Sequence, residues 1–93
     1  MILRMVEGFI LRQVQGEYVA VPSGKAAQIF SGLIALNETG ADIFRLLQQG
    51  MSRGELLEQM QALYDVPSEE LTADVEELLE QFRQLGIVNE VVE

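Results

Sequence analysis

The stretch GLIALNETGADIFRLL, residues 32–47, decides the fold. Before it the apolar pattern is strand-like, and after it the pattern is helical. Leu33-Ile34-Ala35-Leu36 is a short apolar run, and Asn37 follows at once. An apolar stripe at helical spacing then begins with Ala41, Ile43, Phe44, Leu46 and Leu47. An asparagine side chain can accept a hydrogen bond from a free N–H of the next turn, which makes Asn37 an N-cap. Glu38 adds negative charge where the helix dipole favours it. A strand over residues 33–36 therefore runs straight into a first helix from Glu38 to about Gln48, with Gly50 ending it.

Toward the N-terminus, Phe9 to Gln15 and Glu17 to Val21 are two strand-like runs around a Gly16-Glu17 turn, which reads as a β-hairpin. Pro22 and Gly24 end the second strand. Residues 22–32 form a loop with a turn of helix around Ala26 to Phe30, and Met1 to Gly8 reads as a lead-in without an element of its own. Toward the C-terminus, Ser52-Arg53-Gly54-Glu55 has the capping-box pattern and opens a second helix that reaches about Leu63. Its stripe is Leu56, Leu57, Met60 and Leu63. Pro67 breaks the chain, and Ser68 caps a third helix with Glu69 and Glu70 in its first turn. Leu71, Val75, Leu78, Phe82 and Leu85 form its buried stripe, with Leu79 broadening one side. Gly86 stops it, and Ile87 to Val92 is a short extended tail. The expected fold is α+β and winged helix-turn-helix-like. A three-stranded antiparallel sheet is followed by a three-helix bundle, in a single domain over residues 1–93.

Composition excludes several kinds of chemistry. There is no Cys and no His, so thiolate catalysis, imidazole acid–base catalysis and the usual zinc and iron–sulfur ligands are missing. Lack of Cys fits a reducing cytoplasm. No apolar run approaches the ~18 residues of a membrane span, and the start has no secretory-signal pattern. The net charge of −9 is unevenly spread. Residues 1–36 carry three cations and two acids, whereas residues 37–93 carry three arginines and thirteen acids. The third helix has Glu69, Glu70, Asp74, Glu76, Glu77 and Glu80 against Arg83, the wrong sign for a DNA recognition helix. Those carboxylates lie mostly off the apolar stripe, as a solvated face does, and no EF-hand loop is present. Gly24-Lys25 lacks the earlier Gly of a phosphate-binding loop, since Val19 stands there, and Ala26 replaces the required Ser or Thr. Neither Ser52 nor Ser68 has the Asp-Ser-Leu context of an acyl carrier protein. No catalytic residue, metal or cofactor is expected.

Gly8-Phe9, the run Gly16 to Pro22, Phe30-x-Gly32, Leu36-Asn37-Glu38-Thr39-Gly40-Ala41, Tyr64-Asp65-Val66, Asp74-Val75 and Leu85-Gly86-Ile87 together resemble the PqqD-like family. The resemblance spans nearly the whole chain. It implies a RiPP recognition element, a peptide chaperone that binds the leader of a ribosomally made precursor peptide. Such domains present the precursor to a modifying enzyme, often a radical S-adenosylmethionine protein. The Asn-Glu-Thr-Gly-Ala string is closer to relatives beside other peptide-modifying systems than to those in pyrroloquinoline quinone operons. The implied precursor is therefore either that of the quinone (PQQ) or a different peptide. Carried over, the leader adds as a strand to Leu33, Ile34, Ala35 and Leu36, and Val75, Leu79, Phe82 and Arg83 line the groove with Glu76 at its border.

A short edge strand supports the same reading physically, because its unpaired N–H and C=O groups are what strand addition uses. Exposed edges also pair between copies of a chain, so a homodimer is compatible with the sequence. The alternative function is a winged-helix protein–protein module that binds no leader.

Overall fold

Asn37 caps its helix as the sequence requires. Its side-chain oxygen accepts from the Gly40 N–H at 2.7 Å, and Glu38 occupies the first turn. Gly40 is buried at this point, and a Cβ there would stand 3.0 Å from the Asn37 Oδ1. A side chain at residue 40 would crowd the capping oxygen, so the cap depends on glycine there. Loss of such a cap costs about 1 kcal/mol.

The computed structural model describes residues 1–92. In chain order the elements are β1 (Ile2–Met5), β2 (Phe9–Val14), β3 (Glu17–Pro22), α1 (Lys25–Ile29), β4 (Ile34–Leu36), α2 (Glu38–Gln49), β5 (Met51–Ser52), α3 (Arg53–Leu63), α4 (Ser68–Leu85) and β6 (Val88–Val91). The expected antiparallel sheet is present with the order β2-β3-β4, followed by three longer helices. The short α1 is the turn of helix expected within the loop after β3.

A second three-stranded sheet, β5-β1-β6, was not expected. The lead-in is its central strand, not a loose segment, and Leu3 and Met5 are buried. The tail is its edge, with Ile2 opposite Val91 and Met5 opposite Val88. Two further readings shift by a residue. The hairpin turn is Gln15-Gly16, with φ of 52° and 82°, the type I′ geometry that suits the twist of two strands. Pro67 rather than Ser68 caps α4, because its extended backbone (φ −56°, ψ 139°) already presents a carbonyl that accepts from Leu71 N–H at 3.0 Å.

The four phenylalanines of the chain form one column through the core. Phe30 packs on Phe9 at 5.3 Å between ring centroids, Phe9 meets Phe44 edge-on at 6.0 Å, and Phe44 meets Phe82 edge-on at 6.4 Å. These tilted and edge-to-face contacts are favoured by the ring quadrupoles. The column ties the α1 loop, β2, α2 and α4 together. Gly8 lets β2 enter this core: its φ is +102°, and a Cβ would stand 2.8 Å from the Ser23 carbonyl oxygen. Ser23 donates both its N–H and its hydroxyl to the Gly8 carbonyl, at 2.8 and 2.7 Å.

Candidate functional site

The outer side of β4 carries no paired strand among the described residues, since β4 ends its sheet. Which of its backbone groups are free follows from the hairpin. Val14 and Glu17 flank a two-residue turn and exchange their hydrogen bonds with each other. Bonded and non-bonded pairs then alternate along antiparallel strands. Val19 and Val21 therefore face β2, while Tyr18 and Ala20 face β4. Two observations agree with this phase. Pro22, which has no N–H, falls in a non-bonded pair with Phe9, and the Phe9 carbonyl is free to accept from Gln48 Nε2 at 3.1 Å. Tyr18 stands opposite Leu36 and Ala20 opposite Ile34, so Leu36 and Ile34 spend their backbone groups on β3. The N–H and C=O of Ala35 point to the open edge.

Beside that edge lies a groove walled by α4. Ile34, Ala35 and Leu36 form one wall, and Leu78, Gln81, Phe82 and Leu85 form the other, around a hollow of about 180 Å³. Toward the start of α4 it continues, past Asn37, Leu78 and Gln81, into a hollow of about 290 Å³ flanked by Thr39, Asp74 and Glu77. Toward the end of α4 it continues, past Ile34 and Leu85, into one of about 210 Å³ flanked by Phe9, Ile29, Phe30 and Ile87.

The structure brings Ile34, Ala35, Leu36 and Phe82 together at this groove, with the exposed Leu33 just before the strand. It does not bring the other expected residues there. Val75 and Leu79 are completely buried in the core. Glu76 pairs with Arg53 at the start of α3. Arg83 is held toward β6 by Glu90, at 2.6 Å from Nη2 and 2.8 Å from Nε, with Glu80 at 3.6 Å. The Glu90 carboxylate raises the pKa of this guanidinium further. Helix α4 is thus rotated relative to the sequence expectation. Leu79 joins the buried stripe, while Leu78 is half-buried and Leu85 half-exposed. The signal was available: leucines at 71, 78, 79 and 85 cover more of the helix surface than one core face needs. Gln81 carried no such signal.

Tyr64-Asp65-Val66 serves the scaffold rather than the groove. The Tyr64 hydroxyl donates to Asp42 of α2, and Gln61 Nε2 donates to the Tyr64 and Val66 carbonyls at 3.3 and 2.8 Å. Burial, and then the hydrogen bond to the Asp42 carboxylate, push the Tyr64 phenol up to about 12. No helix among the described residues is long and apolar enough to cross a membrane.

Two solved structures share this fold. One is described as "TbiB1 in Complex with the TbiA(beta) Leader Peptide"; it is 16% identical with a TM-score of 0.70, over 97% of this chain and 99% of that one. The other is described as "Lasso peptide synthetase B1 complexed with the leader peptide"; it is 18% identical with a TM-score of 0.67, over 95% of this chain and 98% of that one. No individually curated protein matches the sequence. Residues 7–88 match the family model described as coenzyme PQQ synthesis protein D, and the chain therefore belongs to the PqqD family.

Proposed function

We propose that this chain, acting as a single peptide-binding unit over residues 1–93, is a non-enzymatic chaperone for a ribosomally made precursor peptide. The leader adds as a strand to β4, pairing with the N–H and C=O of Ala35. Its alternate side chains settle against Leu78, Gln81, Phe82 and Leu85, next to Ile34 and Leu36. The chain then presents the precursor to a modifying enzyme, a radical S-adenosylmethionine protein in the PQQ-type reading, in the cytoplasm. The carrying observation is the coincidence of one open strand edge with one groove of partly apolar lining. Two proteins of the same fold are described as complexes with leader peptides, which supports the reading. Val75 and Leu79 contribute from beneath, by fixing where α4 stands, and Glu76 and Arg83 by tying α4 to α3 and β6.

The test is calorimetric titration of the purified chain with each short peptide encoded beside its gene. One of them is expected to bind, and with lower affinity to the Ala35→Pro variant. Binding by none would favour the alternative, a protein–protein module without leader recognition.

A further inference from the structure

The two ends of the groove differ in chemistry, and the difference describes the occupant. At the Leu36 end, Asp74 and Glu77 line the first hollow. Glu17 and Glu38 line a neighbouring hollow that also borders Ala35 and Leu36. None of these four carboxylates belongs to an ion pair among the described residues, and no Lys or Arg lines either hollow. At the Ile34 end the flanking residues are Ile29, Phe30 and Leu85, and no charged side chain lines the hollow. Ile29 is 74% exposed and Leu85 50% exposed, so apolar surface there is left for a partner.

We propose that the groove takes a strand running antiparallel to β4, with a lysine or arginine four residues before an aliphatic or aromatic residue. This rests on the peptide-binding reading above. The spacing comes from the helix wall. Glu77 and Leu85 are eight residues apart on α4, or roughly 12 Å along its axis at 1.5 Å per residue. A strand covers that length in about four residues. Residues four apart on a strand share a face, so both side chains can enter the groove while the residue opposite Ala35 points away from it. The direction follows from pairing. Every strand pair among the described residues is antiparallel, and antiparallel pairing is the slightly more stable arrangement. The incoming strand therefore starts at the Leu36 end, where the carboxylates are, and leaves at the Ile34 end. An acidic segment would meet four unpaired carboxylates and be repelled.

A displayed library of random short peptides, selected against the intact chain with Ala35→Pro as the counter-screen, tests this. Enrichment of a cation four residues before an apolar residue is expected. Selected peptides, resynthesised, should lose about tenfold in affinity for an Asp74→Asn, Glu77→Gln double variant, the effect of two partly exposed charge contacts. A Glu69→Gln, Glu70→Gln variant, which changes the same helix away from the groove, should bind within about twofold of the parent. Groove-dependent peptides with the opposite order, or with no cation preference, would overturn the proposal while leaving peptide binding in place. If no enriched peptide depends on Ala35, the peptide-binding reading itself fails.

Discussion

The two three-stranded sheets are alike in size and opposite in construction. The β2-β3-β4 sheet is built from one continuous stretch, residues 9–36, with a two-residue turn at its first corner. The β5-β1-β6 sheet gathers residues 2–5, 51–52 and 88–91. The first leaves an edge open beside α4, and we assign the function to it. The second buries Leu3 and Met5 and joins both ends of the described chain to its middle. Among the described residues both sheets end in unpaired edge strands, but only β4 has its edge beside the α4 groove, while the other sheet ties distant segments of the chain together. Substitutions in the two should separate binding from stability.

The largest effect is expected at the open edge. Ala35→Pro removes the one N–H of β4 that faces outward, and a proline at an edge strand is tolerated when that N–H is unpaired. Affinity for a bound leader should fall by about a hundredfold or more, from the lost bond and the obstructed edge together, with an unchanged circular dichroism spectrum. Ile34→Pro makes the opposite change, removing an N–H bonded to β3, and should destabilise the fold itself. If Ala35→Pro binds normally, the phase assigned to β4 is wrong and the distinction between the sheets collapses.

Next in size is Leu3→Ala in the closing sheet. Truncating a buried leucine costs about 2–5 kcal/mol, a large share of the stability of a domain this small. Chemical denaturation should register that loss, while the fraction still folded binds peptide with unchanged affinity. Leu85→Ser, in contrast, lies at the groove where the side chain is half-exposed, and should weaken binding with little change in the denaturation midpoint.

The smallest effect belongs to the latch between α2 and α3. The Tyr64 pKa is raised in the folded state, from 10.0 to about 12. The stabilisation linked to its proton is therefore fully present below about pH 10 and is lost as pH rises through about 12. Ultraviolet titration should find a late-ionising phenol in the native chain that Tyr64→Phe removes. Ionisation of Tyr64 at its ordinary pH would mean that neither burial nor the Asp42 bond holds its proton.

Local signals made the first sheet and the helices legible. A turn glycine, the Asn37 cap, the Ser52–Glu55 capping box and the Gly86 stop each act within a few residues, and each is present in the structure. The closing sheet was illegible for the converse reason. Ile2–Met5 is too short to display a period, and its partners lie about fifty and ninety residues away, where only tertiary packing selects them. The site was legible in part. Leu36-Asn37 marked where the strand ends, so the edge could be found. Which side of α4 faces that edge depended on rotation of the helix, and one excess column of leucines was the only trace of it.

The phenylalanine column has a mechanical consequence. Phe82 forms part of one groove wall, and Phe30 and Phe9 line its apolar end. Phe9 and Phe82 are joined edge to face through Phe44, which is completely buried, and Phe30 packs at a tilt on Phe9. The column is thus a strut set between α4 and the sheet, and its length sets the width of the groove. A change at Phe44 that touches no peptide would alter the gauge of the slot, and with it the size of side chain the slot admits.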